Sequence, residues 1–317
     1  MEGSHDYLGA ERNQDILIDI NGDLFPRAEA QVSVFDSGFV LGDGVWEGLR
    51  VCQGTVLFLE RHLDRLYEGM HTLDFSIDVD SDALRGRIYR VIEANGMEDD
   101  VHIRLMVTRG VKSTPYQDPR VTITPPTIVI IPEYKQPHPD MAHRGLSLFT
   151  VHVRRGYSDV QDPTLNTHSK LNCITACIQA AKAGADEALM LDPHGFVATC
   201  NSTHFFIVRR GDLWTSTGNY CLDGITRRKV LEIARELGLE VQERNFTLTD
   251  VYNAQEAFVT GTFAGLSPVS HVDGRQIGDG EIGPVLKQLQ NAYLQAQRDY
   301  VSGVGRGHSS ARGVPSA

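Results

Sequence analysis

Asn166-Thr-His-Ser-Lys170-Leu-Asn172 places a lysine directly ahead of a stretch rich in small residues, Cys173-Ile-Thr-Ala-Cys-Ile-Gln-Ala-Ala181. The small residues predict a helix from about Asn172 to Ala183. A lysine amine kept away from water loses part of its preference for the charged form, and the neutral amine can attack an aldehyde. An exposed lysine at the start of an ordinary helix fits the same residues, so this segment alone does not decide the function.

Two further segments have the features of anion-binding turns. Leu222-Asp-Gly224-Ile-Thr226 is a glycine turn that leads into an amphipathic helix predicted to end near Leu237, and the free amides at a helix start attract anions. Thr260-Gly-Thr262-Phe-Ala-Gly-Leu-Ser-Pro268 follows a predicted strand and leaves backbone amides accessible. An ordinary capped helix and a plain surface loop are the alternatives.

A fourth segment offers a cation on a helix. Glu60-Arg-His62-Leu-Asp-Arg65 lies in a helix predicted from Leu59 to Leu73, and its spacing lets His62 and Arg65 reach one side together. The guanidinium of Arg65 suits a phosphate because it presents a fork of donors. A solvated helix face would have a similar composition.

The order of predicted elements indicates an α+β fold with largely antiparallel sheets, because strand pairs alternate with helices without strict strand-helix-strand crossing. The run Pro132-Glu-Tyr-Lys-Gln-Pro-His-Pro139 cannot continue a helix or a central strand. We therefore place a small N-terminal domain at 14–132, a linker at 133–139 and a larger domain at 140–302. The Gly- and Ser-rich tail, 303–317, is expected to be disordered.

The bulk composition excludes several classes of protein. The 317 residues carry a formal charge of −11 and show no basic block, so a nucleic-acid partner is not expected. No apolar run is long enough to span a membrane, and a cytoplasmic protein is expected. The five cysteines are odd in number and scattered, which argues against disulfides and a metal site.

Taken in this order, the four segments resemble the class IV aminotransferases, also called fold type IV, over roughly residues 16–300. The stretch Asp36-Ser-Gly-Phe-Val-Leu-Gly-Asp-Gly-Val-Trp46-Glu-Gly-Leu-Arg50 is also similar to that family. The resemblance implies an α+β fold with a small α/β domain and a larger domain with antiparallel sheets in a pseudo-barrel. It implies pyridoxal 5'-phosphate as cofactor, bound to Lys170 as a Schiff base, and a homodimer. Residues implied around the cofactor are Arg65, Thr199, Gly224, Ile225, Thr226, Gly261 and Thr262.

Substrate recognition is less decided by the sequence. Candidates for the substrate pocket are Trp46, His102, Arg104, Tyr134, Phe263 and Ala264. The Glu47-Gly-Leu-Arg50 stretch is similar to branched-chain aminotransferases, whereas Val107-Thr-Arg109-Gly110 also resembles (R)-amine transaminases. Transfer of an amino group between an amino acid or amine and a 2-keto acid is the expected activity. D-Amino-acid transamination, aminodeoxychorismate lyase activity and a non-catalytic binding protein stay open.

One position departs from the family pattern. Thr199, in Val197-Ala-Thr199-Cys-Asn-Ser-Thr-His204, falls where most members have a glutamate beside the ring nitrogen of the cofactor. A hydroxyl cannot supply the negative charge that keeps this nitrogen protonated. We therefore expect the ring nitrogen to be less fully protonated here than in a usual member of the family.

Overall fold

The computed structural model describes residues 7–309. Its seventeen strands are β1 Tyr7–Leu8, β2 Leu17–Ile20, β3 Asp23–Pro26, β4 Gly44–Cys52, β5 Thr55–Val56, β6 Val101–Thr108, β7 Thr127–Tyr134, β8 Gln136–Pro137, β9 Leu146–Thr150, β10 Glu187–Leu191, β11 Val197–Cys200, β12 His204–Arg209, β13 Asp212–Thr215, β14 Val241–Glu243, β15 Glu256–Gly261, β16 Gly265–Val272 and β17 Arg275–Gln276. The α-helices are α1 Ser37–Leu41, α2 Leu59–Thr72, α3 Ser81–Ala94, α4 Ser158–Gln161, α5 Leu171–Lys182, α6 Ile225–Glu236, α7 Leu248–Tyr252 and α8 Pro284–Ser309.

The first sheet has six strands in the order β3-β2-β7-β6-β4-β5, and all neighbouring strands are antiparallel. Helices α2 and α3 pack on one face of this sheet around a core that includes Leu49, Leu63, Ile88 and Ile103. Burial alternates residue by residue along β4 and β6, as expected where successive side chains point to opposite faces. The second face of the sheet is therefore free to line a site.

The second sheet has nine strands in the order β11-β10-β9-β16-β15-β12-β13-β14, with β17 paired to β16. Only the β9 pairings with β10 and β16 and the β13 pairing with β14 are parallel. Helix α5 packs its buried alanines, Ala176 and Ala180, beside β10. The expected α+β class with largely antiparallel sheets is confirmed.

The helices predicted around Lys170, Arg65 and Thr226 are confirmed to within one residue at each end. Asp80 caps α3, because its carboxylate accepts a hydrogen bond from the amide of Ala83. Such caps and the apolar period are local signals, which is why the sequence locates these helices well.

The expectation that the proline-rich run stops any central strand is wrong for its first residues, because β7 continues through Pro132 to Tyr134. On one side β7 pairs with β6 along this whole length. On its other side β7 pairs with β2 only at Val129 and Ile130. Pro132 thus has a strand neighbour on one side only, where its missing N–H is tolerated.

Along the sequence, the strands of the first sheet come before the linker region 133–139, apart from the end of β7, and those of the second sheet come after it. The division into domains at 14–132 and 140–302 agrees with this order and stays our proposal. Helix α8 continues to Ser309, into the segment predicted to be a disordered tail; residues 310–317 of that tail lie outside the described residues. The carboxylate of Glu256 accepts hydrogen bonds from the first-turn amides of Val285 and Leu286. Glu256 is distant from α8 in the sequence, so its capping role is not part of a local motif that marks the start of this helix.

Between residues 7 and 309 no helix is long and apolar enough to cross a membrane.

Candidate active site

Two adjoining cavities lie between the free face of the first sheet and the turns of the second. The arginine cavity is lined by Arg65, Thr226 and Thr262, and the lysine cavity by Lys170 and Thr199. Their shared wall consists of Trp46, Arg104, Asn166, Ser202, Thr203, His204 and Leu222. The four segments singled out in the sequence therefore meet at one place.

Strand alternation positions the shared wall. Trp46 on β4 and Arg104 on β6 point away from the helices, and the guanidinium carbon of Arg104 lies 3.7 Å from the centre of the Trp46 ring. Gly48, two residues after Trp46 on β4, is the register partner of Arg104. A Cβ at Gly48 would approach both the His102 and Trp46 rings, so the glycine lets the aromatic groups come together.

Lys170 stands at the N-cap of α5, with its side chain turned to the shared wall. Its ammonium donates a hydrogen bond to Asn166 Oδ1 at 3.1 Å and lies 5.4 Å from the centre of the Trp46 ring. Asn166 is itself fixed, because its amide donates to the Trp46 carbonyl at 2.6 Å and its own carbonyl accepts from the Trp46 amide. The loop ahead of α5 is thus hydrogen-bonded to β4, and this contact orients the side chain of Lys170.

Burial lowers the pKa of Lys170 to about 8. Cys173 opposes this shift, whereas the cations Arg155, Arg65 and Arg104 add to it. Near neutral pH a usable fraction of the amine is therefore unprotonated, which is the form that attacks an aldehyde.

Arg65 is held by Glu47, a fully buried carboxylate on β4. Its Nε and Nη2 donate to the two oxygens of Glu47 at 2.7 and 2.6 Å, and its Nη1 donates to the carbonyl of Asp223 at 2.6 Å. His62 Nδ1 lies 2.6 Å from the same carboxylate. Burial raises the pKa of Glu47, but the charge of Arg65 and the hydrogen bonds from His62 and Arg65 outweigh it, so the net pKa is lowered. Among the described residues these three bonds fix Arg65 and use three of its five N–H groups, which leaves two for an anion.

The start of α6 and the turn after β15 complete the arginine cavity. Gly224 is the N-cap of α6 and supplies no side-chain hydrogen bond to the helix, so the first amides stay available to an anion. Thr226 is nearly buried beside them. Thr260 Oγ1 is also buried, without a hydrogen-bond partner among the described residues. Unpaired buried donors of this kind are expected where a ligand completes the structure.

His204 supports the turn at the start of α6 from the other side. Its Nε2–H donates to the carbonyl of Leu222 at 2.7 Å, and its ring occupies the space that a side chain at Gly224 would need. Burial lowers the pKa of His204 to about 3; the Leu222 bond opposes this, and Arg227, Arg65 and Arg155 add to it. The imidazole therefore stays neutral and keeps one fixed tautomer near neutral pH.

Thr199 is buried at the wall of the lysine cavity, and its hydroxyl donates to the carbonyl of Thr203 at 2.8 Å. Toward the cavity it presents only oxygen lone pairs. Glu187, the nearest glutamate before it in the sequence, accepts hydrogen bonds at its Oε1 from Ser202 and Thr203 instead. Glu187 is not part of either cavity lining.

Most predicted site residues lie together. The arginine cavity contains Arg65, Gly224, Ile225, Thr226, Gly261 and Thr262 together with Trp46, His102, Arg104, Phe263 and Ala264. Tyr134 does not line either cavity, and its placement in the substrate pocket is wrong. Its side chain packs on the helix side of the first sheet, under the guanidinium of Arg12. Because side chains alternate along a strand, the next residue, Lys135, reaches the arginine cavity instead.

The sequence did not identify four residues of the site: Glu47, Asn166, His204 and Lys135. Glu47 and Asn166 lie inside motifs quoted above. A polar residue beside buried neighbours was the signal that could have marked each of them as part of the site. His204 follows Thr199 within the departing segment. Lys135 lies in the proline-rich run, where no periodicity marks a site.

The residues present fit pyridoxal 5'-phosphate. Arg65, the open amides of Ile225 and Thr226 and the hydroxyl of Thr226 form a donor set for its phosphate, and Lys170 offers an amine with a lowered pKa for its aldehyde. The unpaired hydroxyl of Thr260 in the same cavity is a further donor.

Comparison with known proteins agrees with this site. Residues 44–272 match the amino-transferase class IV family. The chain is 39% identical over 292 residues to branched-chain-amino-acid aminotransferase-like protein 1 of Arabidopsis thaliana, covering 92% of this chain and 52% of that protein. It is 39% identical over 275 residues to a putative branched-chain-amino-acid aminotransferase of Methanocaldococcus jannaschii, covering 86% and 94%. The crystal structure of a branched-chain amino acid aminotransferase from Thermobaculum terrenum, in its PLP form, superposes with a TM-score of 0.81 at 27% identity over 91% and 95% of the two chains.

The fold is therefore that of the fold type IV aminotransferases to which the chain is similar. The chain belongs to the class IV aminotransferase family. It spans about half the length of the Arabidopsis relatives that it matches.

Replacing Glu47 with glutamine is expected to weaken the binding of pyridoxal 5'-phosphate by about tenfold, because Arg65 loses the buried charge that fixes it. Leaving Arg65 and His62 without this partner should also cost about 3 kcal/mol of unfolding free energy. Fluorescence titration of the apoprotein with cofactor and urea denaturation measure the two effects. The control is Glu68→Gln, which changes an exposed acid on α2, the helix of Arg65; equal effects of both substitutions would contradict this role of Glu47.

Proposed function

We propose that this protein is a pyridoxal-phosphate-dependent aminotransferase that moves an amino group between an amino acid or amine and a 2-keto acid, with branched-chain substrates. The observation that carries the proposal is a partly buried amine, Lys170, whose pKa is lowered to about 8, next to a donor set for one phosphate. The family and the structural likeness to branched-chain aminotransferases support it.

In this proposal pyridoxal 5'-phosphate supplies an aldehyde and an electron-withdrawing ring. Lys170 would hold the aldehyde of the cofactor, and its amine, with its lowered pKa, would accept and return the proton at the reacting carbon. Asn166 holds the amine of Lys170 toward the shared wall. Arg65, Thr226 and Thr262 bind the phosphate, and Trp46 keeps water from one side of the amine.

The cofactor attachment has a direct test. Borohydride reduction of the holoenzyme is expected to fix the cofactor to the peptide containing Lys170, as seen by mass spectrometry. Lys170→Ala should lower the rate of amino transfer about a thousandfold, as for loss of a proton-transfer group. Lys182→Ala, at the exposed end of α5, is the control. An unmodified Lys170 in cofactor-saturated protein would overturn the proposal.

The identity of the donor is a finer part of the proposal. Relatives named as branched-chain aminotransferases support L-branched-chain donors; D-amino acids, (R)-amines and the lyase reaction on aminodeoxychorismate are the alternatives. A panel of these donors with pyruvate and 2-oxoglutarate separates them, since only transfer conserves nitrogen in a new amino acid. The cytoplasmic location stays a prediction from the sequence.

Thr199 should make the cofactor ring behave differently from that of a member with a glutamate at this position. Its hydroxyl is committed to Thr203, and the carboxylate of Glu187 bonds to Ser202 and Thr203. Thr199 therefore offers no negative charge to the ring nitrogen of the cofactor. We infer that this nitrogen is less protonated than with a carboxylate beside it.

Thr199→Glu is expected to change the absorbance spectrum of the bound cofactor and its response to pH, because a carboxylate would favour the protonated ring nitrogen. It should also accelerate the half-reaction with an amino donor. Thr199→Gln has a similar size and no charge, so it should leave both close to those of the unchanged protein. Identical spectra for the glutamate and glutamine variants would rule the inference out.

We also propose a homodimer, supported by an exposed apolar patch formed by Phe39, Val160, Leu171, Ile174 and Ile178. Leu171, Ile174 and Ile178 follow one face of α5 and are 74, 52 and 49% exposed, with a spacing that puts them in one stripe. The stripe begins next to Ser169, against which the end of α1 packs. A contiguous exposed apolar patch of this kind is typical of a protein interface.

Ile174→Glu should convert the dimer to a monomer, because it places a charge in the centre of the patch. Sedimentation velocity on the holoenzyme measures the change. Leu294→Glu is the matched control, since Leu294 on α8 is 49% exposed and outside the patch. A dimer that survives Ile174→Glu, or a monomeric unchanged protein, would contradict the proposed interface.

A further inference from the structure

Tyr293, on the C-terminal helix α8, is buried behind the arginine cavity. It belongs to an apolar cluster that also contains Ile225 at the start of α6 and Leu266 on β16. The phenol ring fits such a cluster, but its hydroxyl needs hydrogen-bond partners where water is excluded. The partners of this hydroxyl therefore indicate what the residue does.

The segments that form the anion site meet at Tyr293. A Cβ on Gly265, which follows the turn after β15, would lie 3.5 Å from Cε1 of the Tyr293 ring. Phe58, the residue before α2, has its ring centre 6.5 Å from that of Tyr293, and α2 carries Arg65. Helix α8 also packs on α6, whose first turn contains Thr226. One helix thus supports from behind the three segments that would hold a phosphate.

The hydroxyl of Tyr293 has two partners, Thr226 and Gln297. Burial raises the pKa of this hydroxyl, whereas side-chain hydrogen bonds with Thr226 and Gln297 and the charge of Arg50 act in the opposite sense. Gln297 lies four residues after Tyr293 on α8, where its amide can reach the phenol. Thr226 is nearly buried and lines the arginine cavity. Three polar side chains therefore form a row that leads from α8 to the anion site.

The direction of these hydrogen bonds decides what Thr226 can do. The Gln297 amide can donate to the Tyr293 oxygen and the phenol O–H to the Thr226 oxygen, which leaves the Thr226 O–H to donate to an anion. In the opposite direction Thr226 would use its only hydrogen on Tyr293 and present lone pairs to the anion. An anion in the cavity favours the first direction, because it is stabilised by donors and because successive hydrogen bonds strengthen one another.

We propose that Tyr293 is a positioning residue for the phosphate of pyridoxal 5'-phosphate, which donates to Thr226 and so directs the hydroxyl of Thr226 to the phosphate. Gln297 fixes the phenol in the required direction. The inference rests on the cofactor binding that is part of the proposed function. It gives α8, which supplies no residue to the lining of either cavity, a part in cofactor affinity.

Binding of pyridoxal 5'-phosphate and of pyridoxal to the full-length apoprotein tests this role. Pyridoxal has the same aldehyde and ring but no phosphate, so absorbance titrations with the two compounds separate the anion site from the reaction with Lys170. Tyr293→Phe removes the hydroxyl and keeps the ring. Tyr300→Phe is the matched control, because the Tyr300 hydroxyl is also hydrogen-bonded on α8, but to Leu59 and Glu60. Urea denaturation checks that each variant is folded.

Tyr293→Phe is expected to raise the dissociation constant of pyridoxal 5'-phosphate about tenfold, the size of one hydrogen bond to a charged group, and to shift the phosphorus NMR resonance of the bound cofactor. The constant for pyridoxal should change less than about twofold. In a Thr226→Val background Tyr293→Phe should have no further effect, because the hydroxyl through which it acts is gone. Gln297→Leu should show a smaller loss of the same kind, and Tyr300→Phe should leave both constants unchanged.

Unchanged or tighter binding of pyridoxal 5'-phosphate by Tyr293→Phe would overturn the inference, and tighter binding would show that Thr226 donates to Tyr293. Equal losses for both compounds, an effect that persists beside Thr226→Val, or an equal loss in Tyr300→Phe would show a merely structural phenol and also overturn it. The same holds if the unchanged protein does not bind pyridoxal 5'-phosphate. Failure of the proposed function is a different result: the cofactor binds but no keto acid accepts nitrogen, and the binding constants still decide the role of Tyr293.

Discussion

The rest of the site depends on the buried carboxylate of Glu47. A charge on the helix side of β4 would be costly without partners, and here Arg65 and His62 of α2 provide them. Arg65 then extends to the carbonyl of Asp223, at the start of the turn before α6. One ion pair thereby links the first sheet, its covering helix and the turn that follows β13 of the second sheet.

One face of β4 and β6 packs in the core, and the other face lines the cavities. The residues of β4 and β6 that point to α2 and α3 form an apolar core, and Glu47 is the one charged residue among them. Of the residues that point the other way, Trp46 and Arg104 belong to the wall shared by both cavities, and Gly48 and His102 line the arginine cavity. The nearby cations Arg155, Arg65 and Arg104 add to the effect of burial and favour a neutral amine at Lys170. The same low-dielectric environment therefore serves binding and proton transfer.

The sequence predicted the parts of this molecule that have local signals. The helix carrying Arg65, the lysine ahead of α5 and the glycine turn before Thr226 are each read from a few neighbouring residues, and their order along the chain indicated the family. Contacts between distant segments were not predictable in this way. Tyr134 was misplaced because strand direction decides which of two adjacent side chains faces the site, and the end of β7 was misjudged because one-sided pairing at Pro132 is a property of the sheet. The capping of α8 by Glu256 is likewise a contact without a local motif.

The short N-terminal strand β1 has a practical consequence. It pairs with β8 just beyond Lys135, and Leu8 is 45% exposed although it lies close to the cavity wall. A fluorescent dye attached to a cysteine introduced at position 8 would thus sit beside the entrance without replacing a buried group. Its emission would report in real time when a ligand enters, without any need for a coupled assay.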